Sequence, residues 1–261
     1  MPFTLIKRNL QSDQTIQLDL SVFSSSSMDK LSAKEKIETY LPEMVYGAID
    51  GIVTTFAVVA GAAGAHLSIQ IVLILGMANL IADGLSMSVG AYLAKRSEID
   101  NYKKHLKRQH YKIEREPWLA KKHLNQIYAD KGFEDEDLET ITGQIRTKKE
   151  LWAHTLLVYR HELLPETKSA VKSGIFTLIA FVLAGAVPLV AFLFTQQNAS
   201  NFKPFTISAL CAGVAFVLIG WAKHLLTKGG LFKSVFETLG LGAIAAAAAY
   251  FVGDLLEGML F

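Results

Sequence analysis

The sequence predicts an all-α, polytopic membrane protein with five transmembrane helices and an inserted cytoplasmic helical bundle. Of its 261 residues, 51% are hydrophobic and only 19% are charged, whereas soluble domains usually carry about 25% charged residues. Asp, Glu, Lys and Arg are absent from residues 51–82 and 173–202, and each gap exceeds the roughly 20 residues that cross a bilayer. A polar segment, residues 95–172, separates the two apolar regions.

Five apolar segments account for the predicted transmembrane helices, and they cover residues 43–64, 69–92, 174–194, 205–222 and 235–253. A short amphipathic helix is expected just before the first segment, over residues 32–40. The chain therefore divides into four parts: a cytoplasmic N-terminal tail (1–40), transmembrane helices 1 and 2 (41–94), a cytoplasmic helical domain (95–172) and transmembrane helices 3 to 5 (173–261).

Lysine and arginine in the short loops predict the orientation, because these residues favour the cytoplasmic side. The turn after the first segment has neither residue, and the connection at 196–204 has only Lys203. The next connection contains Lys223, Lys228 and Lys233. The N-terminus and the polar insert are therefore expected in the cytoplasm and the C-terminus outside. In a bacterium this would be the plasma (inner) membrane.

The polar insert is expected to be helical. Residues 92–114 contain no Gly or Pro, so the second transmembrane helix should continue beyond the membrane as one rod. Pro117 stands where a new helix can begin, since the first helical position tolerates its missing N–H. Gly132 is a natural stop, and the acidic run at 134–137 suits the first turn of the next helix. A last helix is expected over residues 148–164.

Acidic side chains within transmembrane helices are costly and usually mark an ion path. Asp50 lies in the first span, and Glu43 precedes it by two turns on the same helical face. In the second span Asn79, Asp83 and Met87 recur every fourth residue and form one stripe. Carboxylates bind divalent cations, and a thioether adds preference for softer ones. These five residues are therefore the predicted metal site, suited to iron(II), manganese or zinc rather than magnesium or calcium.

Structural roles are the alternative for the same residues. Asp83 could cap a kink or hydrogen-bond to a neighbouring helix, and Met87 could fill an uneven gap in the packing. Gly47 and Gly51 form a small-xxx-small pair that would let another helix approach closely.

Beyond these single motifs, the sequence resembles the vacuolar iron transporter family from about residue 43 to residue 253. The resemblance rests on five sequence runs: DGIVTTFAVVAG at 50–61, Ser86-Met87, AYLAKRSEIDNY at 91–102, GAVPL at 185–189 and GAIAA at 242–246. It implies a homodimer of five-span subunits, with a path near the dimer interface that is built from the first two spans. It also implies exchange of iron(II), and sometimes manganese, for protons.

The resemblance assigns roles to the five candidate residues. Asp50 and Met87 match the pore Asp and Met of the family, and Glu43 matches an acidic residue near the cytoplasmic mouth. Asn79 falls where many members have a pore Glu, whereas Asp83 stands where those members have a small residue. We infer that the carboxylate has moved one helical turn along the same face, about 6 Å.

The insert departs further from the family, whose iron-storing members gather metal there with glutamates and a Met-Met pair. The matching positions are here mostly poor ligands: Gln109, Lys112, Ala120, His123, Leu156 and Leu157. His123 and Glu162 are the remaining candidate metal ligands in the insert. Five of the seven histidines lie in this insert, and Glu150 and His154 are spaced as an i,i+4 pair. No tight ligand motif is present, so solvation or packing explains these histidines better, and the insert is expected to brace the dimer.

The expected function is a proton-coupled transporter that exports iron(II), and also manganese(II), from the cytoplasm as substrate, with no permanently bound cofactor. Its expected partners are a second copy, the lipid bilayer, divalent metal ions and protons, and no nucleic acid. A non-transporting membrane scaffold or regulator derived from such a transporter is the alternative. An enzyme is not expected, since no nucleophile–base pair or nucleotide-binding glycine loop is visible. The single cysteine, Cys211, excludes an intramolecular disulfide and a cysteine-based metal site.

Overall fold

The computed structural model describes residues 33–194, 202–227 and 229–260, and the ordered elements within these ranges are all helices. The eight helices are α1 (Ala33–Gly64), α2 (Ile69–Arg115), α3 (Pro117–Ala129), α4 (Asp135–Thr147), α5 (Lys149–His161), α6 (Ala170–Leu193), α7 (Phe202–Thr227) and α8 (Leu231–Leu260). The predicted all-α class is confirmed. Of the predicted N-terminal tail, residues 1–32 lie outside the described part of the chain.

Five of these helices contain segments long and apolar enough to cross a membrane: Glu38–Gly64, Ile69–Arg115, Ala170–Leu193, Pro204–Thr227 and Leu231–Met259. Each overlaps one predicted span. The first two helices extend beyond their predicted spans. α1 begins at Ala33 and contains Pro42, so the stretch expected as a separate short helix is continuous with the first span. α2 runs without a break to Arg115, as the absence of Gly and Pro predicted.

The described residues fall into two compact units. The first, called here the transmembrane unit, comprises Ser32–Glu98 and Lys168–Phe261. The second includes Ile99–Thr167 and is called here the insert unit. Helix α2 contributes its first part to the transmembrane unit and its last part to the insert unit.

In the transmembrane unit, α1 packs against α6, α7 and α8. A Cβ on Gly47 would lie 2.6 Å from the carbonyl oxygen of Thr177, and one on Gly51 would lie 2.3 Å from that of Phe181. Both distances are shorter than any van der Waals contact, so only glycine permits this separation of the backbones. The close helix approach predicted from the small-xxx-small pair is confirmed, and α6 is the helix that approaches.

Two apolar clusters fix the remaining helices around α1. One joins α1 to α7 and α8 through residues that include Ile52, Phe56, Ala212, Phe216 and Ala246. The other joins α1 to α2 and α6 through residues that include Val59, Val72, Leu80, Phe181 and Leu189. The Ser88 hydroxyl also donates a hydrogen bond of 2.9 Å to the carbonyl oxygen of Gly174. The second span is thereby held against α1 and α6, which sets the position of its polar stripe.

The insert unit is built around buried apolar residues of its four helical segments: Ile113, Ala120, Leu124, Ile145, Leu151, Trp152, Ala153 and Leu156. Pro117 is the first residue of α3, as predicted. Gly132 follows the end of α3 with a φ of 87°, which glycine adopts readily. The acidic run places Asp135, Glu136 and Asp137 in the first turn of α4, where the helix dipole favours negative charge.

The last helix of the insert unit is shorter than predicted, because α5 ends at His161 rather than at residue 164. Glu162 takes a left-handed conformation with a φ of 53°. Its backbone N–H and that of Leu163 both donate to the carbonyl oxygen of Leu157. This cap satisfies a terminal carbonyl and stops the helix.

Candidate metal path

Helices α1 and α2 bring Asp50 and Asp83 into electrostatic range of each other. Both side chains are half-buried. Within the part of the chain that the structure describes, neither carboxylate has a cationic or hydrogen-bonding partner. The hydroxyl of Thr54 donates at 2.9 Å to the backbone oxygen of Asp50, not to its carboxylate. Two sheltered like charges without a counterion repel each other, and a cation between them would relieve that repulsion.

The stripe on α2 continues on either side of Asp83. Asn79 and Met87 are half-buried, whereas Ser86 beside them is exposed. The Nδ2 of Asn79 is buried and has no hydrogen-bond partner among the described residues, which is unusual for a sheltered amide. Met87 packs against the apolar cluster that joins α1, α2 and α6. Its side chain therefore contributes to packing, as the alternative interpretation requires.

Glu43, the third acidic candidate, lies in an ion pair. The Nζ of Lys168 is 2.8 Å from Oε1 and 3.1 Å from Oε2 of Glu43. The backbone N–H of the next residue, Ser169, donates at 3.0 Å to the hydroxyl of Tyr40, and the Tyr40 ring stacks on Phe176. These contacts fix the start of α6 beside α1. Sequence reasoning did not identify Lys168, because nothing local links residues 125 positions apart.

The two candidate ligands of the insert unit lie in different surroundings. His123 lines a cavity of about 240 Å³, together with residues from α2, α3 and α5. Glu162 is exposed at the end of α5 and does not belong to the lining of that cavity. The leucines at the positions of the family's Met-Met pair, Leu156 and Leu157, are fully buried.

A chain of polar contacts, buried at its Tyr102–His154 end and exposed at Glu150, connects other histidines of the insert unit. The Tyr102 hydroxyl is 2.5 Å from Nδ1 of His154. The Nε2 of His154 is 3.3 Å from Oε1 of Glu150, whose Oε2 is 2.9 Å from Nε2 of His110. Burial lowers the pKa of His154 below its usual value, and the nearby Glu150 only partly opposes this effect. A neutral His154 that accepts from Tyr102 and donates to Glu150 satisfies both ring nitrogens, as in a packed histidine.

Across residues 33–194, 202–227 and 229–260, no group of three or more His, Cys, Asp and Glu side chains is placed to hold a metal ion. The candidate path thus consists of the Asp50–Asp83 pair, with Asn79 and Met87 beside it and Glu43 in its ion pair.

Comparison with known proteins connects this geometry to a family. The model of the VIT family matches residues 41–254. Vacuolar iron transporter 1 of Eucalyptus grandis is 34% identical over 209 residues, which cover 80% of this chain and 83% of that protein. Vacuolar iron transporter 1 of Arabidopsis thaliana is 31% identical, with 82% of this chain and 85% of that protein covered. The vacuolar iron transporter of Toxoplasma gondii is 29% identical, with corresponding coverages of 84% and 74%.

Proposed function

This chain belongs to the VIT family, and from that membership we propose that it carries iron(II) out of the cytoplasm in exchange for protons. Manganese(II) is a second substrate in this proposal, because it accepts the same mixed oxygen and sulfur ligands. The cycle is an exchange of ions and contains no covalent step.

The observation that carries the proposal is the pair of half-buried carboxylates, Asp50 on α1 and Asp83 on α2, which lie within electrostatic range of each other. A charge inside a membrane helix is retained where it serves a path or relay. Such a pair binds either one divalent cation or protons, since both remove the repulsion between the carboxylates. Protons that arrive from the outer side would therefore displace the metal ion toward that side. The exchange follows from competition for the same oxygens.

The half-buried Met87 supplies the selectivity in this proposal. Its thioether lies one helical turn beyond Asp83 on the same face of α2. Sulfur ligands favour iron(II) over magnesium and calcium, which prefer oxygen alone. Asn79, one turn in the other direction, adds an amide oxygen to the ligand set.

We further propose that two copies form the working transporter. The exposed side of α2 that borders the polar stripe carries the large apolar side chains of Leu75 and Leu93. The half-buried Asp83 lies at the edge of this exposed side, so a second copy packed there would complete the wall of the path. In the membrane, the lysine-rich loops would place the N-terminus and the 95–172 domain in the cytoplasm and the C-terminus outside.

Flux measurements in proteoliposomes test the proposal. The full-length protein is reconstituted with a pH gradient, and iron(II) uptake and proton counterflow are recorded with two dyes. Asp50→Asn should lose at least tenfold of the flux, because the amide neither holds the cation nor takes the proton. Asp254→Asn, which neutralises an exposed acid of α8, is the matched control and should transport like the parent protein.

Two results would contradict the proposal. If Asp50→Asn transports like the parent, the carboxylate pair is not the path. If the parent itself moves neither iron nor manganese under any gradient, the scaffold alternative is correct.

A further inference from the structure

The cavity beside His123 has a composition that metal binding does not explain. It lies within the insert unit and has a volume of about 240 Å³, well above the roughly 10–15 Å³ that a single water needs. Its lining comes from three helices and the turn between two of them: Gln109, Lys112, Glu116, Leu119, Ala120, His123, Arg160 and His161.

The charges around this cavity are mostly positive. Lys112 and Arg160 are exposed and reach the cavity from α2 and α5. His123 and His161 add two imidazoles, whereas Glu116 is the only carboxylate in the lining. Gln109 is almost fully buried, with 5% of its surface exposed, and it brings amide hydrogen-bonding groups to the interior. The exposed cations Lys112 and Arg160 and the buried amide of Gln109 suit a negatively charged ligand.

The pKa values of the two histidines reflect the positive charge around the cavity. Burial lowers the pKa of His123, and the cations Arg160, Lys122 and Lys112 lower it further. Burial also lowers the pKa of His161, with added effects from Lys112, Arg160 and His105. Several cations therefore act on both imidazoles, and a bound anion would oppose the part of the pKa lowering that these cations cause.

We propose that this cavity binds a small oxyanion of two or more negative charges, either a phosphate or a polycarboxylate. The guanidinium of Arg160 can donate two parallel hydrogen bonds to one oxyanion group. The ammonium of Lys112 supplies a compact charge, and Gln109 donates from the interior. This site depends on the insert unit alone and is independent of the proposed transport of iron.

Calorimetric titration of the full-length protein in detergent tests this assignment. Inorganic phosphate and citrate are the two probes, and sodium chloride at matched ionic strength is the reference. We expect saturable binding of at least one probe at pH 6.5. The probe that binds more tightly identifies the ligand class, phosphate or polycarboxylate. Lys112→Gln and Arg160→Gln should each weaken binding roughly tenfold, since each removes a charge-assisted hydrogen bond.

Two further variants separate recognition from misfolding. Glu116→Gln should tighten binding several-fold, because it removes the one repulsive charge, and a folding defect cannot produce a gain. The Glu116 side chain makes no capping hydrogen bond to α3, so its amide should leave the helix intact. Lys107→Gln removes an exposed cation on α2 that lies outside the lining and should leave binding unchanged.

The assignment is wrong if neither probe binds up to about 10 mM, if Lys107→Gln weakens binding as much as Lys112→Gln, or if Glu116→Gln fails to strengthen it.

Discussion

The ammonium group of Lys168 contacts both oxygens of the Glu43 carboxylate, at 2.8 Å and 3.1 Å. The Glu43 side chain is only 13% exposed and that of Lys168 22%, so the pair is largely sheltered from water. Glu43 shares a face of α1 with Asp50, two turns away. A metal ion that enters along this face through Glu43 must first displace a bound ammonium group.

Lys168→Gln should therefore lower the iron concentration that gives half-maximal flux, by about three- to fivefold, as expected for loss of a competing ion pair worth roughly 1 kcal/mol. Lys172→Gln is the matched control, since Lys172 is exposed one turn further along α6. The measurement is initial iron uptake by proteoliposomes over a range of concentrations. A half-saturating concentration that stays constant would show that Glu43 does not contact the metal.

Acid should destabilise the insert unit through His154. Burial lowers its pKa in the folded protein, so its stabilising contribution is complete above the ordinary value of about 6.5 and is lost as pH falls below it. The midpoint of thermal unfolding should therefore fall between pH 7.5 and pH 5.5. It should fall less in His154→Gln than in the parent. Tryptophan fluorescence reports the transition, since Trp152 is buried in the same helix. Equal slopes in parent and His154→Gln would contradict the prediction.

Gly51→Ala should disrupt the packing of α1 against α6. The new methyl group would lie 2.3 Å from the backbone oxygen of Phe181, and backbone cannot rotate away as a side chain could. The expected loss is at least the 1–3 kcal/mol that overpacking typically costs, measured as a lower unfolding temperature in detergent. Gly213→Ala on α7 meets no atom within 4 Å and should be neutral or slightly stabilising. Equal behaviour of the two variants would show that the helices separate without cost.

Much of this fold follows from local sequence. Apolar length identifies the five spans, and Pro117 and Gly132 mark the start of α3 and the turn after its end, because their backbone limits act where they stand. The sequence predicts the end of α5 three residues too late. The left-handed cap at Glu162 depends on hydrogen bonds to Leu157, and no glycine at this position indicates it in the sequence.

The candidate site is less accessible to sequence reasoning. Helical periodicity places Asn79, Asp83 and Met87 on one face, but it cannot tell which charge lies opposite. The ion pair of Glu43 depends on Lys168, which tertiary packing brings from 125 residues away. The cavity of the insert unit likewise gathers Lys112, His123 and Arg160 from three helices, so its charge emerges only after folding.

The position of the carboxylate on α2 gives the last prediction. Asp83→Asn should reduce iron flux at least tenfold, because one of the two interacting carboxylates is lost. Adding Asn79→Glu to that variant should restore a substantial part of the flux. The new carboxylate stands one turn away on the same face, about 6 Å along the helix, and replaces a sheltered amide nitrogen that lacks a partner. Ser86→Glu in the same Asp83→Asn background is the matched control. It adds the same charge at an exposed position of α2, so it should restore nothing. If both additions restored flux equally, negative charge anywhere near the path would suffice, and the position of the second carboxylate on the Asp83 face of α2 would not be what selects the ion.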